Sequence, residues 1–224
     1  MARFDFLKVY NAMEQTGLVA VFYHADIDVA CNVLRACYDG GVRLFEFTNR
    51  GDFAHEIFAQ LTKWAAKECP EMILGAGSVV DAPTAAIYMQ NGANFVVGPV
   101  FVGEVATACN RRNVPYMPGC ATATEIISAH EAGCHVVKVF PGGNIGGPSF
   151  VKNVKAPMPW SKIMVTGGVE PTADNISAWL SAGTTAVGMA SNLFPKDVIA
   201  RKDWATITRL CSECVAIIAS LKTT

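Results

Sequence analysis

The sequence predicts an α/β chain folded as one (β/α)8 barrel over residues 1–224, with an extra helix before the first strand. Three observations carry this. Eight short apolar, β-branched runs alternate with stretches of helical spacing along the chain. Such alternation implies parallel strands joined by crossover helices. The 224 residues, 51% of them hydrophobic, suffice for one large core, and no linker or composition break divides them. An open doubly wound sheet is the alternative. No G-x-G-x-x-G follows the first strand, which argues against its dinucleotide-binding version.

Residues 4–16 place apolar side chains at helical spacing and form the opening helix. Residues 18–23 are the first strand. Asp26 stands where a cap is needed for a helix to residue 38, closed by Gly40-Gly41. The second strand spans 42–47, and a helix over 53–67 ends before Pro70. The third strand, 72–76, is broken at Gly75-Ala76-Gly77-Ser78. Asp81 and Pro83 open the next helix: aspartate accepts from orphan amides, and proline lacks an N–H that would be orphaned anyway. Residues 94–97 are the fourth strand, 100–112 a helix, and 114–117 the fifth strand, ending at Pro118-Gly119. Thr122 and Glu125 have capping-box spacing at the head of a helix to 132. The sixth strand follows His135 and stops at Pro141-Gly142-Gly143. Residues 142–147 are glycine-rich without the Gly-Lys-Ser/Thr of a P-loop, and read as a mobile loop. A strand at 163–165, a helix at 171–181, a strand at 184–187 and a closing helix at 203–221 complete the chain.

Composition narrows the function. The 18 Lys and Arg nearly balance the 19 Asp and Glu, with no charge blocks, so no nucleic-acid or membrane-surface partner is expected. No apolar run is expected to reach transmembrane length, and residues 1–6 lack the apolar core of a signal peptide. A cytoplasmic location follows as an expectation. The eight cysteines are scattered and read as reduced, buried thiols. Cys211 and Cys214 form a lone C-x-x-C in a helical pattern, which suits packing better than metal or redox chemistry. Histidines 24, 55, 130 and 135 are dispersed, with no H-x-x-x-H or His/Asp cluster, so no metal site is expected. His24 follows the first strand, where it would reach the barrel mouth. His135 is out of phase with Lys138 and should pack outward.

In a barrel of this type the active site lies at the C-terminal ends of the strands. Val136, Lys138 and Phe140 share one face of the sixth strand. Burying an unpaired ammonium is expensive, and the usual escape is loss of the proton. The neutral amine that results is a nucleophile for ketones and aldehydes. The alternative is a strand-end lysine whose ammonium snorkels to solvent. Val42, Leu44, Glu46 and Thr48 share a face of the second strand, with Arg50 just beyond. An inward Glu46 suits proton shuttling, whereas a Glu46–Arg50 ion pair would be only structural. Gly167-Gly168 and Gly188 to Ser191 close the last two strands, where backbone N–H groups commonly bind phosphate. Tight turns that merely need glycine are the alternative.

Glu46-Phe47-Thr48-Asn49-Arg50, Gly75-Ala76-Gly77-Ser78, Pro118-Gly119 with Thr122, Lys138-Val139-Phe140-Pro141 and Thr166-Gly167-Gly168 occur in order. As a set they resemble the class I 2-keto-3-deoxy-6-phosphogluconate / 4-hydroxy-2-oxoglutarate aldolases, over about residues 18 to 195. The resemblance implies a TIM barrel, a homotrimer, and cofactor-free cleavage of a small 2-keto-4-hydroxy acid to pyruvate and an aldehyde. The implied substrate is 2-keto-3-deoxy-6-phosphogluconate, with 4-hydroxy-2-oxoglutarate as a further one. It implies Lys138 as the Schiff-base lysine, Glu46 as the proton shuttle, Arg50 on the pyruvyl carboxylate and Phe140 beside the imine. It also implies Ser78, Pro99, Thr122 and Thr166 in the substrate site, and Gly167, Gly168, Gly188 and Ser191 around the phosphate. Ser78 stands where threonine is common, Gly98-Pro99 where Ser-Pro is common, and Ala190 where a Gly-x-Gly-Ser loop has glycine. Two other functions stay open on the residues alone. One is an isomerase or synthase that uses Glu46 without a covalent lysine. The other is a non-catalytic sugar-acid-binding barrel.

Overall fold

The computed structural model describes residues 2–222, so Met1, Thr223 and Thr224, at the ends of the expected 1–224 domain, lie outside the described residues. The elements are α1 (Phe6–Thr16), β1 (Leu18–Phe22), α2 (Ile27–Asp39), β2 (Leu44–Thr48), α3 (Ala54–Glu68), β3 (Ile73–Gly77), α4 (Ala82–Gln90), β4 (Val96–Val97) and α5 (Gly103–Asn110). Then come β5 (Tyr116–Met117), β6 (Gly119–Cys120), α6 (Ala123–Glu131), β7 (Val136–Val139), α7 (Gly147–Lys155), β8 (Lys162–Thr166), α8 (Ala173–Ser181), β9 (Ala186–Met189), α9 (Lys196–Ala200) and α10 (Trp204–Lys222).

The nine strands form one parallel sheet in the order β5-β4-β3-β2-β1-β9-β8-β7-β6. The two ends of that order, β5 and β6, are consecutive in sequence and separated only by Pro118. Proline has no N–H to give the ladder, which splits one strand in two. The Pro118 carbonyl still accepts from Lys138 N–H at 2.8 Å, so the sheet curls into a nearly closed barrel with the predicted eight staves.

Alternation along the strands sorts the apolar side chains into two sets. Val19, Val21, Leu44, Ile73, Val97, Met117, Val136, Met164 and Ala186 point inward and pack with Phe95. Ala20, Phe45, Phe47, Leu74, Val137, Val139, Ile163, Val165 and Val187 point outward, under the helices. The inward set is capped from below by Val9 and Met13 of α1. On that helix Phe6 and Tyr10 make edge contacts with His135, at 5.1 and 5.8 Å between ring centroids. His135 therefore lies outside the barrel interior, as its phase predicts.

The expected caps form: Asp26, Asp81 and Thr122 each accept a backbone N–H of the first turn they precede. Four expectations need correction. Gly75 and Gly77 do not break the third strand; they are inward positions within β3. A Cβ on Gly75 would lie 2.2 Å from the Phe95 ring, and one on Gly77 2.0 Å from Glu46 Oε1, so these glycines make room for the two larger side chains. Residues 142–147 are a hydrogen-bonded turn rather than an untethered loop, with Gly142 N–H on Thr166 O and Gly147 N–H on Gly142 O. That turn leads directly into α7, a helix the glycines concealed, and α9 is likewise an unexpected short helix. Finally, α10 is long and apolar enough to cross a membrane by length and composition. It packs instead on α2 and α8, buries Ile207, Cys211, Cys214 and Ile218, and carries an Arg209–Glu213 ion pair at 2.9 Å on its outer face.

Candidate active site

Two steps up the strands from the inward apolar layer, the interior turns polar. Glu46 follows Leu44 on β2, Lys138 follows Val136 on β7, and Thr166 follows Met164 on β8. The β2 and β7 staves face each other across the barrel. Lys138 Nζ lies 3.5 Å from Glu46 Oε1, with the two side chains only 8% and 1% exposed. The lysine therefore does not snorkel, and its buried cation is not unpaired as the sequence suggested. Its partner is the glutamate of the opposite stave. No Glu46–Arg50 ion pair occurs among the described residues; Arg50 Nε instead donates to Ser78 Oγ at 3.5 Å.

The pair is under-satisfied. Glu46 Oε2 and Thr166 Oγ1 are buried with no hydrogen-bond partner. A Cβ on Gly188 would come within 2.6 Å of Thr166 Oγ1, so glycine in β9 leaves that hydroxyl its space. Buried polar atoms cost free energy unless bonded, so these two oxygens are acceptors and donors available to a group that enters the site. The Phe140 ring centroid is 5.1 Å from Lys138 Nζ, within cation–π range.

Above the pair opens a cavity of about 190 Å³ at the C-terminal ends of the strands. Arg50, Ser78, Pro99, Lys138, Phe140, Thr166, Gly167, Gly168, Gly188 and Ser191 all line it, and Glu46 reaches it through Lys138. Ser78 adopts a left-handed conformation (φ +58°), unusual for a residue with a side chain. Thr122 is brought elsewhere. It is exposed at the head of α6, where its hydroxyl accepts from Glu125 N–H and the Glu125 carboxylate accepts from Thr122 N–H. The backbone N–H of Ala121 and the Thr122 groups hold the Glu125 carboxyl below its ordinary range. His24 stays out of the cavity lining, stacked on Phe22, with its Nδ1 accepting from Asp26 N–H.

Three lining residues escaped the sequence reading as site residues, Val21, Val169 and Asn192, while Ala190 lines the cavity within the loop the sequence marks. Val21 was discoverable, since it shares the inward phase of β1 with Val19. Asn192 gave no local signal, because its role comes from a contact with another loop: its Nδ2 donates to Val169 O at 2.8 Å. Cys120 sits on β6 beside β7, but burial, then Glu125, pushes its thiol up to about 12, so it is no nucleophile at neutral pH. Among the described residues there is no cluster of three or more His, Cys, Asp or Glu with metal-binding geometry.

The arrangement holds an amine and a carboxylate in contact under a small cavity. That cavity carries one exposed guanidinium and, at the ends of β8 and β9, Gly167, Gly168 and Gly188. It suits a small, anionic carbonyl compound. A family model described as KDPG and KHG aldolase matches residues 9–210. The chain is 30% identical over 212 residues to the 2-dehydro-3-deoxy-phosphogluconate aldolase of Treponema pallidum, covering 95% of this chain and 98% of that protein. The 2-keto-3-deoxy-6-phosphogluconate aldolase of Zymomonas mobilis, solved with 3-phosphoglycerate, superposes with a TM-score of 0.82 at 26% identity, covering 92% of this chain and 94% of that one. The KDPG aldolase of Legionella pneumophila, solved with pyruvate as a covalent carbinolamine, shares the fold at a TM-score of 0.82 and 24% identity, covering 91% and 96%.

Proposed function

The chain belongs to the KDPG and KHG aldolase family, and from that premise we propose that it is a Schiff-base aldolase acting on 2-keto-3-deoxy-6-phosphogluconate. The products are pyruvate and glyceraldehyde 3-phosphate. As family membership implies, it is a carbon–carbon lyase. The observation that carries the mechanism is the buried contact between Lys138 Nζ and Glu46 Oε1 beneath the cavity.

The contact supplies what each step needs. Proton transfer from the ammonium to a base frees the Lys138 lone pair, which attacks the C2 ketone and forms a carbinolamine. Glu46 gives a proton to the departing hydroxyl, and water leaves an iminium. Glu46, again a carboxylate, takes the O4 proton as the C3–C4 bond breaks. The bonding electrons move into the iminium to give an enamine, and the aldehyde departs. Protonation of the enamine at C3 and hydrolysis return pyruvate and the amine. The iminium is the electron sink throughout, so the scheme calls for no metal ion. Arg50, steadied by Ser78, suits the substrate carboxylate. Gly167, Gly168, Gly188 and Ser191 suit the phosphate end. The Legionella protein's carbinolamine with pyruvate supports the covalent reading.

Cleavage of 4-hydroxy-2-oxoglutarate to pyruvate and glyoxylate is proposed as a side activity, because it needs the same lysine and glutamate and no phosphate. We propose a homotrimer on the strength of the family. Exposed Phe53, Val80 and Val100, on the loops after β2, β3 and β4, support a self-association surface that sedimentation would measure. The deciding experiment is pyruvate release from a panel of 2-keto-4-hydroxy acids, with and without a terminal phosphate. Release from none of them would overturn the proposal.

A further inference from the structure

We infer that Asn192 is a positioning residue of the anion cradle, tying the loop that carries Ser191 to the loop whose backbone N–H groups line the cavity before the anion arrives; the inference rests on the phosphate reading above. Four consecutive carbonyls, from Thr166 at the end of β8 to Val169, are each held by a donor. Gly142 N–H bonds Thr166 O and Gly143 N–H bonds Gly167 O, both at 2.9 Å. Asn175 Nδ2 and Trp179 Nε1 of α8 both bond Gly168 O at 3.2 Å. Asn192 Nδ2, from the loop after β9, bonds Val169 O at 2.8 Å.

In a planar trans peptide the C=O and N–H of one unit point in opposite directions. Fixing the carbonyls of Thr166, Gly167 and Gly168 therefore aims the N–H groups of Gly167, Gly168 and Val169 away from those donors. Gly167 N–H faces Gly188 on the β9 side of the ladder, whereas the N–H groups of Gly168 and Val169 make no turn or loop bond to an acceptor among the described residues, and all three residues line the cavity. Gly167 and Gly168 adopt φ of +88° and +80°, which lets successive N–H groups converge as an anion nest. Donors fixed in advance bind an anion without a reorganisation cost.

Asn192 is the member of this frame that belongs to the other loop. Its neighbour Ser191 lines the cavity and carries a hydroxyl. The Asn192–Val169 bond thereby sets the spacing between that hydroxyl and the N–H row. Without it, each loop keeps its own turn but the two are free to part. The effect is confined to the phosphate end, because Lys138 and Glu46 are held by β7 and β2.

The test uses the full-length protein with Asn192→Ala and the isosteric Asn192→Asp, which cannot donate and adds a negative charge. Three readouts separate the ideas: kinetics with 2-keto-3-deoxy-6-phosphogluconate, exchange of pyruvate methyl protons with deuterium, and calorimetric titration with inorganic phosphate. Asn192→Ala should raise KM about five-fold, the worth of one neutral hydrogen bond, and weaken inorganic phosphate similarly. The rate of pyruvate exchange should hold, and Asn192→Asp should lose more phosphate affinity than the alanine variant. Asn175→Ala, acting from the α8 side, should lower phosphate affinity in the same direction. Unchanged phosphate affinity in Asn192→Ala, or equal losses in exchange and in KM, would overturn the inference, as would no phosphate binding by the unaltered protein. If the unaltered protein binds phosphate but cleaves no phosphorylated keto acid, the substrate reading fails and the titration still decides the role of Asn192.

Discussion

Lys138 Nζ and Glu46 Oε1 stand 3.5 Å apart although they come from facing staves of the barrel, 92 residues apart in sequence. Each is the other's only charged partner among the described residues. Removing one side of such a buried pair strands the other, which ordinarily costs about 3–5 kcal/mol. Variants at either position therefore need a stability measurement alongside the kinetics.

The covalent step is the first prediction. Sodium borohydride added with pyruvate should inactivate the protein irreversibly and leave a reduced pyruvyl adduct on Lys138, located by peptide mass. Lys138→Arg keeps the positive charge opposite Glu46, yet should abolish turnover, because a guanidinium cannot supply a neutral amine. An adduct on any other lysine would refute the mechanism.

Glu46 is the second. Glu46→Gln keeps the shape and removes the shuttle, so kcat should fall about 10²–10⁴-fold with little change in KM. Gly77→Ala should reproduce much of that loss without touching a titratable group. The added Cβ would lie 2.0 Å from Glu46 Oε1 and must push the carboxylate away from Lys138. Full activity in Gly77→Ala would mean that the carboxylate does not need its present seat.

The contrast between these two residues shows what the sequence could reveal. Glu46 and Lys138 were legible singly, because a charge on the inward phase of an apolar strand violates the pattern around it. Their contact was not, since nothing local records which staves face each other. The same limit applies to Gly75 and Gly77: glycine reads as a strand breaker until Phe95 and Glu46 are seen filling the space above it. Likewise α7 was hidden because glycine and proline opened it, and proline suits a first helical turn only once the helix is known to start there. Asn192 was invisible because its partner lies 23 residues away on another loop.

Thr122 supplies the third prediction, and it separates stability from activity. Its hydroxyl caps α6 and does not reach the cavity. Thr122→Ala should cost about 1 kcal/mol, typical of a lost N-cap, or roughly 2–4 °C in Tm for a domain of this size. KM should stay unchanged. The Glu125 carboxyl of the same box is held below its ordinary range, so its contribution is complete at neutral pH and lost as the pH falls through that lowered value. The Tm difference between Thr122→Ala and the unaltered protein should therefore be constant from pH 6 to 8 and shrink in stronger acid. A raised KM would return Thr122 to the substrate site.

Ser191 carries the last prediction, because it separates reading an anion from shaping a loop. Ser191 lines the cavity together with Gly168 and Asn192, whose backbone N–H groups make no turn or loop bond among the described residues. If these groups hold a phosphate, Ser191→Ala removes one neutral donor among several. The expected penalty is on the order of 1 kcal/mol, several-fold in KM, with kcat little altered. It should appear with 2-keto-3-deoxy-6-phosphogluconate and vanish with 4-hydroxy-2-oxoglutarate, which offers the same keto acid to Lys138 and no phosphate to the loops. Equal penalties on both substrates would mean that the serine organises the turn from Ala190 to Phe194 without touching the anion. The unaltered protein should also prefer the phosphorylated substrate. Ala190 adds a methyl group to the cavity wall, but the N–H groups that would face a phosphate belong to the backbone, and a side chain at Ala190 removes none of them. A protein with no such preference would show that the methyl group closes the pocket to phosphate.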